Sequence, residues 1–97
     1  LIQQCVDMAS ILDKKVFYNQ SVALRDRKDQ TSILENVDCK TLILCGERDQ
    51  LCPVSYHSDM NKMIKSSDLI VLEGVGHMPI IECPQILNNH LKNFYLT

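Results

Sequence analysis

The sequence predicts an α/β fold in which two parallel strands alternate with helices. Two short apolar runs rich in β-forming residues, 41–45 and 69–72, indicate strands that are buried on both faces. A helical pattern follows each run and is expected to start at a proline, because the first helical position leaves its N–H unpaired anyway. Strand–helix–strand connections in one sheet are parallel and right-handed, so the loops after the two strands are expected at the same sheet edge.

Length, charge and cysteine usage limit the class of protein. The chain of 97 residues allows one small domain, and its 10 basic and 12 acidic side chains give a net charge of −2. This balance gives no electrostatic case for binding nucleic acid or an anionic membrane surface. Neither a spanning apolar run nor a signal peptide is visible. The five cysteines fit neither a zinc knuckle nor a disulfide framework, and we expect reduced thiols in a cytoplasmic protein.

The N-terminal part of the chain is predicted to be helical. Apolar side chains recur with helical spacing over residues 1–12. Asp13 can then cap a second helix, because its carboxylate can accept N–H groups of the first turn. The apolar face of this helix extends to about residue 24. We therefore predict two segments, a helical one at 1–30 and an α/β one at 31–97.

The C-terminal part adds one helix after each strand. The first is expected to run for about a dozen residues from Pro53, and the last is expected to begin at Pro84. Residues 66–68 are predicted to turn the chain between the first helix and the second strand. The predicted packing residues of the two helices are Val54, Tyr56, Met60, Met63 and Ile64, and Ile86, Leu87, Leu91, Phe94 and Tyr95.

Two polar side chains follow the ends of the predicted strands. Asp49 lies in the loop after Gly46, and His77 lies in the loop after the second strand. Because the carboxyl ends of parallel strands meet at one sheet edge, we expect these side chains to form a hydrogen bond. A carboxylate in this position fixes the tautomer of the imidazole and stabilises the imidazolium. His77 is therefore the candidate general base, and Asp49 is the candidate residue that orients it.

Three motifs together resemble the C-terminal segment of an α/β-hydrolase fold protein. Residues 42–49, Leu-Ile-Leu-Cys-Gly-Glu-Arg-Asp, are similar to the strand of that family that ends in Gly-x-x-Asp. Residues 74–77 resemble its Gly-x-Gly-His turn, and residues 82–84 resemble its Glu-x-Pro start of the last helix. Asp before His is also the chain order of the last two triad members. The resemblance implies a partial α/β-hydrolase fold, preceded by cap-like helices in residues 1–30.

The resemblance also implies a function. It is that of a serine-type hydrolase of an ester or similar carbonyl compound, with Asp49 and His77 in the triad and no metal or organic cofactor. No Gly-x-Ser-x-Gly motif occurs in the sequence, so the nucleophile is expected upstream of Leu1 and the isolated chain is expected to be inactive. Met78 is a candidate substrate-binding residue. Glu82 is expected to support the His77 loop or to cap the last helix.

The sequence leaves two alternative functions open and predicts the binding partners of the chain. The chain could instead belong to a non-catalytic relative that binds a ligand or partner, or form an independent α/β interaction module. The expected partners are a small-molecule substrate in the complete protein and either the missing N-terminal part or a second copy, because two strands leave unpaired sheet edges. Nucleic acid and membrane are not expected. His57 and His90 are predicted to be surface residues.

Overall fold

The structure, a computed structural model, describes residues 1–97 and divides the chain into two compact units, Leu1–Gln30 and Thr31–Thr97. The first unit contains two helices, and the second contains a two-stranded sheet with its helices. In chain order the elements are α1 (Ile2–Ile11), α2 (Lys14–Asp26), a 3-10 helix (Thr31–Asn36), β1 (Thr41–Gly46), α3 (Val54–Met63), β2 (Ser67–Leu72), α4 (Pro79–Glu82) and α5 (Pro84–Leu96). No helix has both the length and the apolar character needed to cross a membrane.

The N-terminal unit contains the two helices that the periodicity predicts. Asp13 caps α2, since its Oδ1 accepts the N–H of Val16 at 2.9 Å, and this confirms the predicted cap. The helix continues to Asp26, slightly beyond the predicted end. No residue of α1 or α2 is buried. The role of this unit as a cap stays a prediction.

β1 and β2 form the predicted parallel sheet. Their register pairs Thr41 with Ser67 at one end and Gly46 with Leu72 at the other. β2 begins at Ser67, so the predicted turn over residues 66–68 is wrong at two of its three positions. Serine and aspartate are poor strand formers, but pairing with β1 overrides that local preference. The turn between α3 and β2 is consequently shorter than the sequence indicates.

Burial in the sheet is one-sided. The residues of the buried core are Ile43, Cys45, Ile64, Leu72 and Val75. Leu42 and Leu44 alternate to the opposite face of β1 and are only half-buried, so the prediction of burial on both faces is wrong. A cleft of about 310 Å³ lies on this side, where Leu42 and Ile70 of the sheet and Phe94 of α5 contribute to its lining. The helix that should cover this face therefore leaves it partly open.

The prolines mark the starts of α3 and α5, as predicted. Pro84 is the first residue of α5, whereas Pro53 is the N-cap residue of α3 and lies one position before the helix. The predicted packing faces are too wide, because Tyr56, Ile86 and Tyr95 are exposed. A helix that packs against only two strands contacts them through a narrow stripe of side chains. The apolar residues at the margins of the helix face therefore remain exposed to solvent.

The two histidines that were expected at the surface are half-buried. Nδ1 of His57 lies 3.1 Å from the carbonyl oxygen of Pro53, one turn earlier in the chain. His90 lines the cleft between α5 and the sheet. Both rings lie against neighbouring protein atoms, and neither belongs to the Asp49–His77 pair.

Gly46 allows the loops after the two strands to touch. A Cβ atom at this position would overlap the backbone carbonyl groups of Val75 and Gly76. A hydrogen bond between the two loops stabilises this contact: the N–H of Arg48 donates to the carbonyl oxygen of Val75 at 2.8 Å. The absent side chain therefore brings the Asp49 loop directly against the His77 loop.

Gly46→Ala should test this contact. The added methyl group has to push two backbone carbonyls away, and we expect the free energy of unfolding to fall by about 1–3 kcal/mol, the usual cost of overpacking. Urea unfolding of the parent and variant chains at one fixed chain concentration measures the change, because association makes apparent stability depend on concentration. Gln50→Ala, at an exposed position of the same loop, is the control and should stay within about 0.5 kcal/mol of the parent. Equal stability of the two variants would contradict the predicted contact.

Candidate active site

The carboxylate of Asp49 is held by the turn in which it lies. Its Oδ1 accepts the N–H groups of Leu51 and Cys52, both at 3.0 Å. The side chain is 6% exposed, so the carboxylate has little contact with water. The pKa of Asp49 is lowered chiefly by the hydrogen bond from the Cys52 N–H. Burial opposes this shift, and the hydrogen bonds from His77 and Leu51 add to it, so the carboxylate is ionised at neutral pH.

The other oxygen of this carboxylate faces the imidazole. Nδ1 of His77 lies 2.9 Å from Oδ2 of Asp49, which confirms the predicted hydrogen bond between the two side chains. An ionised carboxylate can only accept, so in the neutral ring Nδ1 carries the proton and Nε2 has the lone pair. The His77 side chain is 45% exposed, in contrast to the covered carboxylate. A fixed, negatively charged oxygen thus orients an accessible base.

Glu82 fixes the backbone on both sides of His77. Its Oε1 accepts the N–H of Gly76, and its Oε2 accepts the N–H of Met78, each at 2.9 Å. Of the two roles expected for Glu82, support of the loop is confirmed, whereas α5 has no side-chain cap. Glu82 is the last residue of α4, a helix of four residues. This helix was not predicted, because a single turn shows no periodicity.

Met78 and Gly74 complete the loop. Met78 is half-buried and precedes α4 as its N-cap residue, so it adjoins His77 in the chain. Its role in substrate binding stays a prediction. Gly74 has a φ angle of 70°, a left-handed conformation that glycine adopts without strain. The turn that leads from β2 to His77 depends on this residue.

Cys52 lies beside this pair and was not predicted as a residue of the site. One donor atom from each of Asp49, Cys52 and His77 lies within 4.8 Å of the others. The only signal in the sequence is the position of Cys52 in the turn after Asp49, because nothing in the spacing links it to His77.

Cys45 differs from Cys52: burial, aided by the negative charge of Asp49, raises the pKa of its thiol. Cys45 is therefore an unreactive core residue.

Acid titration should reveal the contacts of the carboxylate. We expect Asp49 to titrate below the ordinary aspartate value of about 3.9, because its hydrogen bonds favour the ionised form. As the pH falls, the unfolded chain binds the proton at the ordinary aspartate pKa, whereas the folded chain binds it only at the lowered pKa. Ionised Asp49 therefore adds fully to the free energy of unfolding above the ordinary pKa, and this contribution is lost as the pH falls through the lowered pKa. The ¹³C resonance of the Asp49 carboxyl carbon measures this, with the urea-unfolded chain as control. Identical midpoints in the two states would contradict the prediction.

No protein-family model matches the chain. The chain is 29% identical over 76 residues to the AB hydrolase superfamily protein YisY of Bacillus subtilis (strain 168), covering 78% of this chain and 28% of that protein. It is 24% identical over 83 residues to Lipase 1 of Psychrobacter immobilis, covering 86% of this chain and 26% of that lipase. The solved structure of a thermophilic esterase from Thermogutta terrifontis superposes with a TM-score of 0.69 and 28% sequence identity. The match covers 72% of this chain and 26% of the esterase chain.

These similarities agree with the motifs and with the topology. The chain has a partial α/β-hydrolase fold, in which two parallel strands and their helices are present. It spans about a quarter of the length of the relatives named above, at 28% and 26% of the two curated proteins.

Proposed function

We propose that this chain supplies the acid and the histidine of a serine-type catalytic triad in a hydrolase of the α/β-hydrolase fold. The observation that carries the proposal is the 2.9 Å contact between Oδ2 of Asp49 and Nδ1 of His77. Its position supports the proposal as well, because the pair lies just beyond the carboxyl ends of both strands, where open α/β sheets bind their ligands. Relatives named as a hydrolase, a lipase and an esterase point to the same chemistry.

The proposed mechanism assigns one task to each side chain. Nε2 of His77 accepts the proton of a nucleophile that lies upstream of Leu1, as the nucleophile attacks the carbonyl carbon. The ring then returns that proton to the leaving group as the carbonyl re-forms, which leaves the acyl group on the nucleophile. In the second half-reaction His77 takes a proton from the water that attacks the acyl group and returns it to the nucleophile as the acid product leaves. Asp49 stays ionised throughout, keeps the proton of the neutral ring on Nδ1 and stabilises the imidazolium between the two steps. Glu82 keeps the histidine loop in position through its two backbone contacts.

Esters are the substrate class that we propose first. Lipase and esterase are the activities named for two of the similar proteins, and a carboxylic ester is the simplest carbonyl compound that a Ser-His-Asp triad cleaves. Met78 is the residue of this chain that we propose to contact the substrate, because it adjoins His77. The same geometry also serves thioesters, lactones and carbon–carbon bonds beside a ketone.

Covalent labelling tests the proposal. The complete protein should hydrolyse an activated ester such as p-nitrophenyl acetate, and a fluorophosphonate should label one serine upstream of Leu1. The isolated chain should show neither turnover nor labelling above that of the urea-unfolded chain. A labelled serine within the chain, or a complete protein that turns over no carbonyl substrate, would overturn the proposal.

We also propose that the isolated chain associates with itself or with the rest of its protein. Its sheet has only two strands, so each strand keeps one edge without a partner strand, and such an edge is a template for pairing. The half-open face of β1 adds apolar surface that an additional partner would cover. Light scattering of the purified chain should therefore show species larger than a monomer. A stable, cooperatively unfolding monomer at micromolar concentration would contradict this.

The cellular location is proposed as cytoplasmic. All five cysteines are free in the structure, and two of them, Cys5 and Cys39, are exposed. Exposed free thiols persist where the surroundings are reducing, which favours the cytoplasm over an oxidising compartment. Fractionation of cells that produce the complete protein would test this, and recovery outside the cytoplasm would contradict it.

A further inference from the structure

We propose that Asp49, Cys52 and His77 form a binding site for a thiophilic divalent cation of the Zn²⁺ class, and that the bound ion inhibits the hydrolase. The inhibition rests on the proposed function, whereas the binding does not. The donor atoms of the three side chains lie within 4.8 Å of one another. A thiolate, an imidazole nitrogen and a carboxylate oxygen are the ligands that Zn²⁺ takes from proteins.

The geometry is close to what a tetrahedral ion requires. Zinc bonds of about 2.0 Å to nitrogen or oxygen and about 2.3 Å to sulfur place neighbouring donors roughly 3.3–3.5 Å apart. Nδ1 of His77 and Oδ2 of Asp49, at 2.9 Å, have to separate slightly to admit the ion between them. The Cys52 sulfur has to approach by at most about 1.3 Å from the 4.8 Å limit. Because His77 is partly exposed, a water molecule can reach the fourth position.

The surrounding backbone supports such a site. Two N–H groups, from Leu51 and from Cys52 itself, hold Oδ1 of Asp49 and so fix the orientation of the carboxylate. Glu82 holds the backbone on either side of His77. Contacts of this kind to ligand-bearing segments orient ligands and strengthen metal binding. Only the Cys52 side chain, which is half-buried in the turn, has to adjust substantially.

Inhibition follows from where the ring proton must go. Without metal, Nδ1 carries the proton that Asp49 accepts, and Nε2 has the lone pair that a general base needs. When Zn²⁺ binds at Nδ1, the proton of the neutral ring moves to Nε2, and the thiol of Cys52 releases its proton to solvent. One proton is released per ion, and no group is oxidised or reduced. With a proton on Nε2, His77 can no longer accept one from the nucleophile.

Metal titration of the isolated chain tests the site without reference to activity. We expect saturable binding of one Zn²⁺ in competition with a chromophoric chelator, with release of one proton measured calorimetrically in buffers of different ionisation enthalpy. Cys52→Ser should weaken binding at least about tenfold, because the loss of a ligand exceeds that of an outer contact. Cys39→Ser, which removes an exposed thiol, should bind as the parent does. Equal weakening by both substitutions, or no saturable binding, would overturn the site.

Enzyme assays of the complete protein then test the inhibition. Zn²⁺ should lower the rate of ester hydrolysis, and addition of a chelator should restore it. Cys52→Ser should need at least about tenfold more Zn²⁺ to lose half of its own metal-free rate. Binding with an unchanged rate would overturn the inhibition. A complete protein without any hydrolase activity would refute the proposed function instead, while the titration of the isolated chain would still decide the metal site.

Discussion

His77→Ala in the complete protein should lower kcat/KM for an activated ester by roughly 10⁴- to 10⁶-fold, the upper value being the loss in kcat seen when a triad base is removed. In the proposed mechanism His77 presents Nε2 as an acceptor because Asp49 holds the proton on Nδ1, and alanine would leave the nucleophile without a base. The measurement is the hydrolysis rate under saturating and subsaturating substrate, which separates kcat from KM. Added imidazole should restore part of the lost activity if the cavity left by the ring admits it.

His90→Ala is the matched control. His90 is half-buried like many functional histidines, but it lies in α5 and lines the cleft on the open face of the sheet. We expect its removal to change kcat/KM by no more than a few-fold. Normal turnover by His77→Ala, or an equal loss in the two variants, would refute the assignment of His77 as the base.

Asp49→Asn should lower kcat by about 10⁴-fold, the effect of the same change in a serine protease triad. The amide oxygen of asparagine can still accept the N–H groups of Leu51 and Cys52, so the turn is preserved. Its NH₂ group then faces Nδ1 of His77 and can only donate. The ring must accept at Nδ1 and carry its proton on Nε2, which is the wrong tautomer for a base.

Two further variants separate this effect from simple damage to the fold. Asp59→Asn changes an exposed carboxylate of α3 and should leave activity unaltered. Asp49→Ala removes the acceptor of both turn hydrogen bonds as well, so we expect it to unfold at a clearly lower urea concentration than Asp49→Asn, which loses only the stabilisation due to the negative charge. An active Asp49→Asn variant would contradict the orienting role. An inactive variant that is also unfolded would show that Asp49 is structural.

Much of the fold could be predicted because its signals are local. The apolar runs of β1 and β2, the prolines before α3 and α5 and the capping carboxylate of Asp13 all act through neighbours in the chain. The approach of Asp49 to His77 was predictable too, although the two residues are 28 positions apart. A right-handed crossover between parallel strands leaves little choice about which loops share an edge.

Tertiary structure alone decided the features that depend on contacts between distant residues. The half-exposure of Leu42 follows from the cleft under α5, and no pattern within β1 shows whether a neighbouring element covers its second face. The start of β2 at Ser67 follows from pairing with Thr41. Cys52 joins Asp49 and His77 only because the loops after β1 and β2 meet at Gly46. Sequence determines which chemical groups follow each strand, but their distances depend on how closely two backbones can pack.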